Sequence, residues 1–158
     1  MSRDFNKNKV AVLTGAAKKI GRSTSIKLAE QGFNILIHTG GKSIEEAKDT
    51  IKLLEKFKIK SNYVTGDLAN LETIHIIKDA ALKLGTPSVL VNNAGLRIHE
   101  HFEKIDYKDW KKVMTVNVDA SFLCAQALIN YMVKQKWGRV INIGGLSAHI
   151  GAKERAHV

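Results

Sequence analysis

Short apolar runs alternate along the chain with longer stretches in which apolar residues recur at helical spacing. Apolar runs bounded by polar or glycine-containing turns are typical of buried strands, and recurrence every three or four residues is typical of helices. The pattern predicts strands at 10–13, 34–38, 61–64, 88–91 and 139–143. It predicts a helix that begins at Ile20 and is stopped by Gly32, and further helices at 43–57, 71–84 and 107–136, with no regular element after Gly145.

This alternation favours an α/β domain with a parallel sheet. Because crossovers between parallel strands are right-handed, we expect a Rossmann-like, doubly wound sheet with strand order 3-2-1-4-5. Ligands bind such sheets at the carboxyl ends of the strands, so site residues should directly follow strands. The sequence contains no linker or low-complexity tract, and we expect residues 1–158 to form one domain.

Composition narrows the class of protein. Hydrophobic residues make up 44% of the chain and charged residues 25%, which excludes the composition of a disordered chain. The longest apolar runs are strand-sized, far below the roughly 20 residues of a membrane span. Since the first residues are polar and unlike a secretory signal, we expect a cytoplasmic protein with no membrane span. The single cysteine, Cys124, falls in a predicted helix, which favours a packing thiol over a reactive one.

The formal charge of +10 suggests an alternative function, because clustered Lys and Arg bind nucleic acid and other polyanions. The lysines are instead spread over helices beside acidic residues, as at 45–48, which is typical of solvated helix faces. The sequence also shows no aromatic platform and no helix-turn-helix signature. We therefore do not expect a nucleic-acid partner.

A glycine-containing loop joins the first strand to the first helix. It reads Thr14-Gly15-Ala16-Ala17-Lys18-Lys19-Ile20-Gly21. Glycines at this place allow a tight turn and a close approach of a pyrophosphate to the helix N-terminus. The loop therefore predicts a dinucleotide site, and an ordinary βα loop is the alternative.

Four motifs in this order resemble those of the short-chain dehydrogenase/reductase family. They are the glycine loop, Gly66-Asp67-Leu68, Asn92-Asn93-Ala94-Gly95 and Asn117. The resemblance covers nearly the whole chain and includes 3-oxoacyl-acyl-carrier-protein reductases. Lys19 stands where the family has glycine, a version similar to that of pteridine reductases, whose basic residue helps to hold NADPH. The resemblance implies an NAD(P)-dependent oxidoreductase whose cofactor touches Gly15, Lys18, Lys19, Ile20 and Gly21.

The residues that end the second strand bear on which dinucleotide is bound. The segment 38–43 contains no Asp or Glu to accept the ribose 2′-hydroxyl of NAD. We therefore expect NADP(H), with Thr39 in the site and with Lys42 and Ser43 at a helix N-terminus holding the 2′-phosphate. The two lysines of the glycine loop would add positive charge. The alternative is that Ser43 only caps the helix and Lys42 is solvated.

The resemblance also assigns the later motifs. It implies that Asp67 and Leu68 approach the adenine and that residues 93–95 lie against the adenosine ribose. Asn92 is expected to brace the strands. Asn117 corresponds to an asparagine that holds a water within the family's proton relay. For an isolated Asp or Asn, a local turn is the alternative explanation.

Carbonyl reduction in this family uses a serine, a tyrosine and a lysine four residues after the tyrosine. Counted without gaps from the fifth strand, the serine position is Gly145 and the tyrosine position is Val158. Ser147 is the candidate for a displaced serine. His149 and His157 are candidate proton donors because histidine titrates near neutrality. Ordinary loop polarity is the alternative for all three.

Family members also have later strands that this sequence does not contain. We therefore expect an exposed sheet edge and association of copies through the long helix 107–136. The adjacent residues His99, Glu100 and His101 cannot easily converge on one ion, so no metal site is expected.

Together these features predict an NADP(H)-dependent oxidoreductase that moves a hydride to or from the carbonyl carbon of a 3-oxoacyl or similar substrate. A catalytically inactive NAD(P)-binding protein is the alternative, because Gly145 and Val158 replace the family's serine and tyrosine.

Overall fold

The computed structural model describes the backbone of residues 3–157 and the side chains of residues 5–147 and 149–157. The strands are β1 (Lys9–Leu13), β2 (Asn34–Thr39), β3 (Ser61–Thr65), β4 (Thr86–Asn92) and β5 (Arg139–Asn142). The helices are α1 (Arg3–Asn6), α2 (Lys19–Glu30), α3 (Ile44–Leu54), α4 (Leu71–Leu84), α5 (Tyr107–Met114), α6 (Ala120–Lys134) and α7 (Ser147–Ile150).

The five strands form one parallel sheet in the order β3-β2-β1-β4-β5, which confirms the predicted fold and strand order. Alternate residues of β1 enter two separate cores. Val10 and Val12 pack with residues of α4 and α6 on one face. Ala11 and Leu13 pack with residues of α2 and α3 on the other face. The sheet is therefore covered by helices on both faces, and its carboxyl edge remains open for a site.

The long helix predicted at 107–136 is divided in two. A π-helical segment, Thr115–Asp119, separates α5 from α6, and α6 ends at Lys134. The continuous helical stretch Tyr107–Lys134 has the length and composition of a membrane span, which the short apolar runs of the sequence did not suggest. In the structure one face of α6 packs against β4 and α4, burying Cys124 and Leu128.

The two ends of the described chain differ from the expectations. The polar start forms the short helix α1 before β1, and α7 follows Leu146, where no element was predicted. All four residues of β5 are exposed, as expected for a strand at the edge of the sheet.

Candidate active site

A groove runs along the carboxyl ends of the strands, where β1 and β4 lead to helices on opposite faces of the sheet. One half, which we call the basic half, has a volume of about 700 Å³ and is lined by the cations Lys18, Lys19, Lys42, Arg97 and Lys112. The other, the β5 half, has a volume of about 820 Å³ and lies beside β4, β5 and α6. Ile20 and residues 93–97 line both halves, which therefore meet along this segment.

The glycine loop packs so closely that side chains at two positions would collide with backbone. Gly15 has a φ of +61°, and a Cβ there would lie 2.7 Å from the Cα of Ala94. A Cβ on Gly21 would lie 2.4 Å from the Cα of Ala16. Real Cβ atoms do not approach backbone this closely, so both positions require glycine. The loop can therefore lie directly against the end of β4 and the start of α2.

Hydrogen bonds fasten the glycine loop to the segment after β4. The Thr14 hydroxyl accepts from the backbone N–H groups of Asn93 and Ala94, both at 3.1 Å. The Asn93 amide donates to the carbonyl oxygens of Thr14 at 3.1 Å and Gly15 at 2.9 Å. Asn93 thus positions the loop. Sequence reasoning included Thr14 as the first residue of the loop but assigned it no role.

The N-terminus of α2 opens onto the basic half. Its first turn contains no acidic residue, and no side chain caps it. Free N–H groups and the helix dipole favour an anion at such an end. Lys18 and Lys19 line the groove here, and Lys18 also donates to Glu46 at 2.9 Å, which lowers the pKa of that carboxyl. Lys19 adopts a left-handed conformation with φ +52°, the backbone geometry that the family's glycine at this position would take without strain.

Residues at the end of β2 form the outer wall of the basic half. Gly40 and Gly41 face open space, and Lys42 lines the groove beside them. Thr39 is buried and its hydroxyl donates to the Gly40 carbonyl at 3.2 Å, while Ser43 precedes α3 without a side-chain capping bond. Neither Thr39 nor Ser43 lines the groove, so their cofactor roles stay predictions.

His38 is a groove residue that the sequence analysis did not single out. Its ring is buried, and Nε2 donates to the Gly66 carbonyl at 3.0 Å, which leaves Nδ1 with no hydrogen-bond partner among the described residues. Burial lowers the pKa of His38. Asp67 and Leu68 line the groove next to it, and Asp67 also accepts from the Ala69 N–H at 3.0 Å in a local turn. Every residue of β2 is buried, so periodicity could not mark His38.

Asn117 lies in the π-helical segment and lines the β5 half. Its Oδ1 accepts from the Leu96 N–H at 2.7 Å, and its Nδ2 donates to the Leu96 carbonyl at 3.0 Å. The amide therefore holds the segment that both halves share. Its predicted part in a proton relay stays a prediction. Asn92 braces the sheet as expected, since its amide donates to Asn142 at 2.8 Å and to the Ser121 carbonyl at 3.2 Å.

Ser147 is the candidate catalytic hydroxyl in the β5 half. A Cβ on Gly145 would lie 3.5 Å from the Ser147 Oγ, so this hydroxyl stands beside the position where the family has serine. His157 is buried, does not line the groove, and has no hydrogen-bond partner for either ring nitrogen among the described residues. Val158, at the tyrosine position, lies outside the described residues.

Residues 99–101, where no metal site is predicted, contact a later segment of the same chain. His101 lies 3.2 Å from Glu154, and the Glu100 N–H donates to the Glu154 carbonyl at 3.1 Å. These contacts join the loop after β4 to the segment after α7. Among the described side chains, those of residues 5–147 and 149–157, no three of His, Cys, Asp or Glu come together as metal ligands would.

Comparison with known proteins shows which family this chain belongs to. The model of the family described as "short chain dehydrogenase" matches residues 9–157. A 3-oxoacyl-[acyl-carrier-protein] reductase of Staphylococcus epidermidis is 32% identical over 95% of this chain and 62% of its own length. The L-rhamnose 1-dehydrogenase (NADP(+)) of Thermoplasma acidophilum is 34% identical over 98% and 61%. The crystal structure of acetoin dehydrogenase YohF from Salmonella typhimurium has a TM-score of 0.89 and 33% identity, over 95% and 60%.

The chain thus spans about three fifths of the length of these relatives. The matched region contains all five strands and both halves of the groove. It also includes the glycine loop, Asp67, residues 93–95 and Asn117, which carry the resemblance. The chain belongs to the short-chain dehydrogenase family.

Proposed function

We propose that this chain binds NADP(H) in the groove and that its protein transfers a hydride between the cofactor and a carbonyl compound of the 3-oxoacyl type. The observation that carries the proposal is the basic half itself. An uncapped helix N-terminus, two glycines facing open space and a set of lysines converge there, and the end of β2 supplies no carboxylate.

The groove residues fit a dinucleotide with an additional phosphate. The pyrophosphate would lie at the N-terminus of α2, where Gly15 lines the basic half and the buried Gly21 lets the loop pack against the helix. Lys42 and Lys19 would hold the 2′-phosphate, since no described acid pairs with either ammonium. Leu68 supplies an apolar contact for the adenine. The shared segment would place the nicotinamide end in the β5 half.

NADPH supplies a hydride from the nicotinamide C4. In a reduction this hydride would go to the carbonyl carbon and a proton from solvent water to the oxygen, so that the carbonyl would become an alcohol and NADPH would become NADP⁺. Ser147 would polarise the carbonyl by donating a hydrogen bond from its Oγ. Asn117 would fix the wall against which the reacting groups lie, through its two bonds to Leu96.

A second candidate function is cofactor binding without catalysis. Gly145 and Val158 stand at the family's serine and tyrosine positions, so this chain lacks two side chains that the family uses for proton transfer. The basic half does not depend on either residue. The two functions share the cofactor site and differ in turnover.

Calorimetric titration with NADPH and NADH tests the proposal. We expect tighter binding of NADPH, a preference that Lys42→Met removes and Lys83→Met, a surface control outside the groove, retains. A carbonyl-reduction assay with a 3-oxoacyl thioester and with the corresponding free 3-oxo acid then separates the two candidates. Binding without turnover favours the inactive cofactor-binding protein. Failure to bind either dinucleotide contradicts both.

We also propose that copies associate through the long helix. Ile129 and Val133 on its outer face, outside the groove, are 40% and 66% exposed, and their spacing of four residues aligns them in a short apolar stripe. Pairing with a second copy would bury this stripe. Sedimentation velocity should show a dimer that Val133→Glu converts to monomer, and a monomeric parent protein would contradict the proposal.

A further inference from the structure

The β5 half carries an excess of positive charge. Arg97 enters it from the loop after β4, and Arg155 enters it from the segment after α7. None of the described residues that line this half is Asp or Glu. The rest of its wall is largely apolar, with Val118, Phe122 and Leu146 prominent. A ligand of this half therefore meets two guanidinium groups on an apolar surface.

Neither arginine is neutralised by the protein. Among the side chains of residues 5–147 and 149–157 neither guanidinium has a hydrogen-bond or ion-pair partner, although Arg155 is half-buried. The adjacent acid, Glu154, lies instead against His101 at 3.2 Å. A half-buried cation without a partner has lost part of its hydration, and an anion at the same place would offset that loss.

Two arginines elsewhere in the fold behave differently. Arg22 donates to the Ala17 and Glu46 carbonyls and to Thr50 at 2.7–3.2 Å. Arg139 donates to the Gly138 carbonyl and lies over the Trp137 ring. Among the arginine side chains that the structure describes, the two without a partner, Arg97 and Arg155, are thus those that line the groove. A guanidinium presents paired N–H donors that match the two oxygens of a carboxylate.

We infer that the β5 half takes an oxo acid, a carbonyl compound that carries a carboxylate. Arg155 binds the carboxylate, and Arg97, at the junction of the two halves, adds positive charge. The apolar wall receives the carbon chain, and Ser147 lies in the same half for the carbonyl oxygen. This inference rests on the proposed function, because it names the substrate class of the same groove.

Acetoacetate and methyl acetoacetate test the inference, since they share the carbonyl and differ by the charge. Binding is followed by ligand-observed NMR titration, with and without NADP⁺. We expect acetoacetate to bind at least tenfold more tightly than the ester. Arg155→Met should reduce this preference to less than threefold, and Arg155→Lys should restore part of it. Arg139→Met removes the same charge at the opposite end of β5 and should leave the preference unchanged.

The inference is overturned if acetoacetate does not bind, if the ester binds equally well, or if the preference survives in the Arg97→Met, Arg155→Met double variant. NADPH binding, measured separately by calorimetry, distinguishes a failure of this inference from a failure of the proposed function. If the protein binds NADPH but shows no preference for the acid, the proposed function stands and the inferred substrate class is wrong. If the protein prefers the acid through Arg155 but binds no dinucleotide, the proposed function is wrong and the oxo-acid site stands.

Discussion

Replacing Lys19 with glycine should make the protein more stable and its cofactor site weaker. Lys19 has a φ of +52°, and a left-handed conformation costs a residue with a side chain about 1 to 2 kcal/mol. Glycine removes that cost but gives the unfolded chain more freedom, worth about 0.5 to 1 kcal/mol. The balance is a gain of about 0 to 1.5 kcal/mol in the free energy of unfolding, with a midpoint of about 0.75 kcal/mol.

The same substitution removes a cation from the first turn of α2. An ion pair between partly exposed groups contributes about 0.2 to 1 kcal/mol, which corresponds to a change in affinity of up to about fivefold. Lys19→Gly should therefore bind NADPH up to about five times more weakly. Backbone strain affects the free energy of unfolding and charge affects the affinity for NADPH, so the two contributions of Lys19 can be measured separately.

Urea unfolding followed by tryptophan fluorescence measures the first effect, since Trp137 packs against Phe33 in the folded state. Lys58→Gly is the matched control, because Lys58 has a φ of +56° and lies outside the groove. This control should gain similar stability and keep its affinity for NADPH. The reasoning is refuted if Lys58→Gly becomes more stable while Lys19→Gly does not.

Three further predictions concern the groove and the core. Gly21→Ala should lose about 1 to 3 kcal/mol of stability in urea unfolding, because its Cβ meets the Ala16 backbone at 2.4 Å, whereas Gly41→Ala, in open space, should be close to neutral. Burial lowers the pKa of His38, so the unfolded chain binds this proton at higher pH than the folded chain, and stability should fall as the pH drops below 6.5. That fall should be smaller in His38→Gln than in the exposed control His75→Gln. Burial raises the pKa of the Cys124 thiol to about 11, so maleimide at pH 8 should label it only after unfolding, as read by intact mass; rapid native labelling would contradict its burial.

Much of the fold was readable because burial leaves a simple pattern. Strands covered on both faces are continuous apolar runs, as at 10–13 and 88–91, and helices between them fix the strand order through the right-handed crossover. The glycine loop was equally visible, since a close backbone approach at Gly15 and Gly21 tolerates no other residue.

Other features leave no such pattern. Apolar spacing continues through Thr115–Asp119, so the change to π-helical bonding there has no periodic signal. The left-handed backbone of Lys19 was hidden for a different reason, since lysine ordinarily avoids that conformation. Arg97 and Arg155 lie in polar loops, and loops have no hydrophobic periodicity from which the direction of a side chain could be predicted. Tertiary contacts alone bring these two residues to the groove.

The segment 92–97 connects the two halves of the groove mechanically. Near its start, Asn93 and Ala94 are bonded to Thr14, so the glycine loop and the end of β4 hold a common geometry. Further on, Leu96 is bonded through both backbone groups to Asn117. A ligand that shifts the glycine loop therefore acts on the backbone that Asn117 holds in the β5 half. Since the connection consists of buried or half-buried hydrogen bonds rather than exposed ion pairs, it should be little affected by salt.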